Sequence, residues 1–157
     1  MVSESFLASH PYLKSSAVEV AGQALATDSP TLYDTDSAIE LIGSDMTRKA
    51  VAQAYAQASV NASDISVVEL HDCFTVNEMC ALEGLGLAPE GEAWKLVRDG
   101  GITYGKDGKA GLEGKGWIVN PSGGLISKGH PLGATGLAQC AELGTLAEGI
   151  PSLEVQC

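Results

Sequence analysis

Three observations predict an α/β fold, with helices packed on the faces of a mixed sheet. Apolar runs with strand character alternate with helix-period stripes, in the order strand–helix–strand–helix–loop–strand–helix. Aromatic residues make up 5% of the chain against 45% for all hydrophobic types, which fits an Ala/Leu/Val-rich layered core better than an aromatic-rich sandwich. The length, 157 residues, suits one domain and is enough to bury about two thirds of the unfolded chain's surface.

The elements follow in order. Residues 1–16 form a leading segment, in which His10 is expected to face solvent. Ala17–Thr27 alternates loosely around Val18, Val20 and Leu25, which predicts a first strand that Asp28-Ser29-Pro30 breaks. A short helical turn is expected around Ala38–Ile42. Ser44 or Asp45 is the expected N-cap of the next helix, whose buried stripe is Met46, Ala50, Val51, Ala54, Tyr55 and Ala58. Asn61–Asp64 supplies turn chemistry, and the β-branched run Ile65–Leu70 predicts a buried strand. His71-Asp72-Cys73-Phe74 leads from it into a helix to about Gly84, with Asp72 or Thr75 near its start. Asn77 and Glu78 read as its solvated face.

Gly84–Gly116 holds ten glycines and predicts loop with one short helix at most. Trp117–Val119 predicts a short strand. Gly133 to about Leu143 predicts a helix with Leu137, Ala138, Ala141 and Leu143 inward, which Gly144, Gly149 and Pro151 should end. The organisation is thus a leading segment (1–16), a domain (17–143) and a divergent tail (144–157), with no internal repeat.

Twenty acidic against nine basic residues give a net charge of −11, which disfavours nucleic acid and anionic membrane surfaces as partners. No run of about eighteen apolar residues predicts a membrane span, and no secretory signal is visible at the start. The four cysteines, Cys73, Cys80, Cys140 and Cys157, contain no CxxC pair, so zinc is not expected and reduced thiols are. Cys80 and Cys140, inside helices, are expected in the core.

Two stretches share one design. VVELHDCF carries His71 and Cys73; WIVNPSGGLISKGHPLGATG carries His130. Each is a strand that ends in a polar loop and leads to a helix, and ligands of open α/β sheets collect at such strand ends. From Asn120 to Gly136, five of seventeen residues are glycine, which lets the main chain approach a ligand closely. Pro131 suits a first helical turn. The dipole of a helix starting there would favour neutral imidazole at His130, able to act as base or as N–H donor to an acyl oxygen. Cys73 near a helix start would be a more acidic thiol. Taken singly, these features equally suit a tight turn, a core histidine and a small buried thiol. Neither a phosphate-binding GxxxxGK[ST] loop nor a GxGxxG fingerprint is present.

Together, HDCF at 71–74 and NPSGGLISKGHPLGATG at 120–136, followed by LAQCAEL, resemble the thiolases, and most of all the sterol-carrier-protein-X type of 3-ketoacyl-CoA thiolase. The resemblance covers roughly residues 5–143, most of the C-terminal half of a thiolase. It implies acyltransfer: thiolytic cleavage of a 3-ketoacyl-CoA, or Claisen condensation in reverse. It implies no bound cofactor, with coenzyme A as substrate. By the resemblance His130 activates a nucleophilic cysteine and shares in an oxyanion hole, His71 serves a second oxyanion site, and Cys73 exchanges a proton with the α-carbon. Asn120, Gly124 and Gly129 line the substrate side, and Gly124 lets the backbone approach the active site. The nucleophilic cysteine belongs to the N-terminal half of the family and has no counterpart here. An N-terminal half or a dimer partner is therefore expected, and the closing strands of the family are not recognisable after Leu143. Peroxisomal placement is implied by the resemblance alone, since the chain ends Val155-Gln156-Cys157; otherwise the cytoplasm is expected. Two alternatives stand beside this reading: a thiolase-like side-chain aldolase, and an inactive or partner-dependent acyl-CoA-binding fragment.

Overall fold

The computed structural model describes residues 1–104 and 116–149. Helix α1 (Glu4–Ser9) is capped by the Ser3 side chain, which accepts from the Phe6 N–H, and a 3-10 turn follows at Pro11–Ser16. His10 is half-buried rather than solvated, because its ring stacks on Phe6 at 4.0 Å and meets Tyr12 edge-on. Further on come α2 (Ala38–Leu41), α3 (Ser44–Ala58), β1 (Val67–Val68), α4 (Thr75–Gly84), α5 (Ala93–Arg98), β2 (Ile118–Val119), α6 (Gly124–Lys128) and α7 (Thr135–Gly149).

The sheet of the described residues is a parallel pair, with Val67 opposite Ile118 and Val68 opposite Val119. Successive strand residues point to opposite faces, and here they feed two separate clusters. Val68 and Leu70 pack with Leu82, Leu87, Ala88 and Ala93 on the α4–α5 side. Val67 and Ile118 pack with Leu143, supported by Leu146, on the α7 side. Helix–sheet–helix layering is therefore present, and the α/β expectation holds. No helix of the described residues is long and apolar enough to cross a membrane.

Several expectations need correction. Ala17–Thr27 is not a strand. Gly22 lies against the Ala54 carbonyl, Gln23 donates its N–H to Gln57 Oε1, and Leu25 is 88% exposed, so the segment runs along α3 instead of pairing with the sheet. The predicted strand 65–70 shortens to two residues. Helix α3 is entered through Gly43 at φ 92°, not through a capping side chain of Ser44 or Asp45. Its stripe from Met46 to Ala58 is half-buried, and Val51, Ala54, Tyr55 and Ala58 border, with β1 and α7, an open apolar groove of about 440 Å³.

Helix α7 begins two residues later than expected and runs through Gly144 to Gly149. One glycine costs a helix only about 1 kcal/mol, and the packing of Leu143 and Leu146 on either side outweighs it. Its inward face is Gln139, Leu143 and Leu146. Leu137 is 70% exposed and Ala138 and Ala141 are exposed too, since they face away from the sheet. Cys140 is exposed at the groove and Cys80 is only half-buried, so neither is a core residue. Helix α5 fills the one-helix allowance of the glycine-rich stretch, while its residues 105–115 and the tail 150–157 lie outside the described residues.

Candidate active site

Parallel strands bring their carboxyl ends to one edge of the sheet, and both histidine loops emerge there. The loop after β1 runs from Glu69 to Phe74, and the loop after β2 from Asn120 through α6 to Ala134. The rings of His71 and His130 meet edge-to-face, with centroids 4.7 Å apart and planes at 80°. Both side chains are exposed, so the pair is open to a ligand. Cys73, two residues on from His71, is half-buried just before α4.

Their supports differ. The His71 carbonyl accepts from Asn77 Nδ2, so Asn77 faces the loop from the first turn of α4 and is not merely solvated. His130 sits five residues ahead of the first residue of α7 and just past the C-terminal end of α6. The expected proximity of His130 to a helix N-terminus is thus not realised, and the dipole argument for its neutral form lapses. Pro131 lies in the turn before α7, where its carbonyl accepts from the Ala134 and Thr135 N–H groups. Gly129, at φ 95°, has no atom within 4 Å of where a Cβ would stand.

Asn120 stitches the strand ends together. At φ 46° it donates its N–H to Val68 O, and its Oδ1 accepts from Leu70 N–H at 2.8 Å. The Nδ2 group is buried and has no hydrogen-bond partner among the described residues. Leu70 O in turn accepts from Gln139 Nε2, which ties α7 to the same edge.

Two acidic residues complete the site: Glu69, which the sequence analysis does not single out, and Asp72, which it places only near a helix start. Asp72 is 4% exposed; it does not cap α4, and its Oδ1 accepts from Leu125 N–H at 2.6 Å. Gly124, at φ 66°, leaves room for it, since a Cβ there would stand 2.0 Å from Asp72 Oδ2. The space at Gly124 is therefore filled by a carboxylate of the neighbouring loop. Glu69, whose side chain has no exposed surface, accepts from Ser122 N–H at 3.0 Å and from Ser122 Oγ at 2.7 Å. Lys128 Nζ stands 3.9 Å from Glu69 Oε2 and donates to Ser122 Oγ. A buried carboxylate is expensive unless it is hydrogen-bonded or paired, and both of these are satisfied by the 122–128 segment. The signal was available: an acid in an otherwise apolar strand, and another beside the histidine. Glu78, half-buried on α4, has its carboxyl pushed up by burial and by the nearby Asp72 charge. Burial, with Glu83 nearby, likewise pushes up the Cys80 thiol.

The arrangement presents two imidazoles and a thiol at a strand edge, over a floor of satisfied carboxylates. Comparison with known proteins identifies the family of the chain. Residues 26–147 match the model of the family described as thiolase C-terminal domain-like. Bovine sterol carrier protein 2 is 50% identical over 143 residues, which is 91% of this chain and 24% of that protein. The acetyl-CoA acetyltransferase of Methanothermobacter thermautotrophicus is 40% identical over 126 residues, 80% of this chain and 30% of the other. The benzoylsuccinyl-CoA thiolase subunit BbsB of Thauera aromatica is 42% identical over 102 residues, 65% of this chain and 24% of the other. The chain thus spans about a quarter of the length of these relatives. A family match over most of the chain, with the HDCF and GHP loops meeting at one sheet edge, means that the chain belongs to the thiolase C-terminal domain family.

Proposed function

We propose that this chain supplies the C-terminal half of a thiolase active site, acting on 3-ketoacyl-CoA with coenzyme A as the second substrate. The contact between His71 and His130, with ring centroids 4.7 Å apart, carries the reading, because it brings the exposed imidazoles of the two motif loops to one edge of the sheet. In the cleavage direction, a cysteine thiolate from an N-terminal half attacks the 3-keto carbon after His130 takes its proton. The bond between C2 and C3 breaks, the acyl group stays on the cysteine as a thioester, and the electron pair moves to the thioester enolate of the leaving acyl-CoA. His71 donates to that enolate oxygen, where a fixed donor stabilises developing charge. Cys73 delivers the proton to C2 and, as a thiolate, takes the proton of the incoming CoA thiol; the CoA thiolate then takes the acyl group, and the departing cysteine thiolate recovers its proton from His130. Peroxisomal placement goes with this reading and rests on resemblance to the sterol-carrier type.

The test is thiolysis of a 3-ketoacyl-CoA by the purified chain, followed as loss of the enolate absorbance when CoA is added, alone and with a separately expressed N-terminal half. Turnover only in the mixture is the expected result. Turnover by the chain alone would show that it carries its own nucleophile. Inactivity in both would leave an acyl-CoA-binding fragment as the better description. In the active mixture, Cys73→Ser should slow carbon–carbon cleavage by about 10²–10⁴ while acyl transfer to the cysteine from a simple acyl-CoA persists; equal loss of both steps would make Cys73 structural.

A further inference from the structure

The floor beneath the imidazoles has an arrangement that neither packing nor the proposed chemistry requires. Three side chains fasten the loop after β1 to the loop after β2. Asn120 reaches Leu70, Glu69 reaches Ser122, and Asp72 reaches Leu125. The Asp72 bond has a special position. Leu125 donates its N–H to Asp72, which is adjacent to His71, and accepts at its carbonyl from Gly129, which is adjacent to His130, at 2.8 Å. Two hydrogen bonds through one residue therefore run from the neighbour of one imidazole to the neighbour of the other. The turn they hold is only partly self-sustaining: Gly123 and Gly124 take positive φ freely, but Asn120, at φ 46°, is a side-chain-bearing residue in the left-handed region.

We propose that Asp72, with Glu69 beside it, is a positioning residue that sets the distance between His71 and His130 through Leu125 and the short helix α6. Asp72 holds the start of α6, Glu69 holds the turn before it through Ser122, and the far end of α6 delivers Gly129 and His130. Among the described residues neither acid is hydrogen-bonded to an imidazole; their partners are Ser122 and Leu125. This rests on reading His71 and His130 as the working pair, yet it is testable without turnover.

The experiment is NMR on the intact chain, whose three histidines make the ring signals easy to assign. In the unaltered chain a scalar coupling across the hydrogen bond should link the Leu125 amide nitrogen to the Asp72 carboxyl carbon, and a nuclear Overhauser effect should link the two rings. Absence of that coupling overturns the proposal with no variant needed. Asp72→Ala should abolish the inter-ring effect and speed amide exchange at Leu125 about tenfold. The Trp117 indole N–H, bonded to Ala62 O at the far end of the sheet, should remain protected. Asp72→Asn keeps an acceptor and should restore the inter-ring effect. Persistence of the ring contact in Asp72→Ala, or failure of Asp72→Asn to restore it in a folded chain, would sink the positioning role. A thiolysis assay that fails leaves these readouts untouched, so the two ideas fail separately.

Discussion

The two histidine loops leave the same sheet edge but are built to different standards. The HDCF loop is embedded. Its His71 carbonyl is bonded to α4, Asp72 is buried, and Leu70 before it has both backbone groups taken by side chains from other elements. The GHP loop is sparse. Among the described residues the His130 side chain has a ring contact with His71 and no hydrogen bond, a Cβ on Gly129 would meet nothing within 4 Å, and Leu132 is 88% exposed. What is anchored on the second loop lies upstream, at Ser122 and Leu125. One imidazole is thus fixed locally and the other at a distance, which teaches that the geometry of the pair is decided on the carboxylate side.

The largest expected effect separates chemistry from structure. In a reconstituted two-half enzyme, His130→Ala should lower thiolysis by about 10²–10⁴, the usual worth of a positioned acid–base group. The same substitution should move thermal stability by less than about 0.5 kcal/mol, as at an exposed site. Retained activity would remove His130 from the mechanism. A large fall in melting temperature would show that His130 is anchored more firmly than its exposed side chain indicates.

A glycine pair sharpens the contrast. Gly124 and Gly129 both have positive φ, at 66° and 95°. Gly124→Ala adds a methyl 2.0 Å from Asp72 and displaces a buried hydrogen-bonded carboxylate. It should cost about 2–5 kcal/mol, from backbone strain of about 1–2 and loss of the buried bond. Gly129→Ala meets nothing and should cost only the strain, about 1–2 kcal/mol. Chemical denaturation of the two variants checks this, and equal losses would mean that backbone strain alone decides. Below these stands Asn77→Ala, which removes one bond to the His71 carbonyl. It should destabilise by about 0.5–1.5 kcal/mol and broaden the His71 ring signals but not those of His10.

Much of this was legible in sequence because the informative residues are local. The run of β-branched residues before His71 marks the strand, even though only Val67–Val68 pairs, and the motif glycines mark the turns. Elements that depend on a partner were not legible. Ala17–Thr27 alternates like a strand, but Gly22 and Gln23 fit against α3, and nothing local reveals that preference. The helix α6 is five residues long and holds Gly124, so no periodicity announces it. The inward face of α7 could not be chosen among apolar positions without knowing where the sheet lies; Gln139 faces in because it has Leu70 O to meet. Glu69 and Asp72 stand out in sequence as an acid in an apolar strand and an acid beside a histidine, but their donors, Ser122 and Leu125, lie on the second loop and no local pattern names them.

The smallest effect concerns Glu78, and its sign follows from its surroundings. Burial and the Asp72 charge both disfavour its ionised form, so its carboxyl titrates higher in the folded chain than in the unfolded one. The contribution to stability is fully present below the unfolded glutamate value, about 4.3, and is lost as pH rises through the folded value. Over that interval the native state binds more protons than the unfolded state, so stability falls with rising pH. Glu78→Gln should flatten that slope while leaving stability at lower pH unchanged. Because Glu78 is only half-buried, the change should be small beside those above. Asp72→Asn should flatten the same slope in part, by removing the second cause while keeping the first. A Glu78→Gln chain whose stability still falls with the same slope would assign the pH dependence elsewhere. If Asp72→Asn leaves the slope unchanged, burial alone accounts for it.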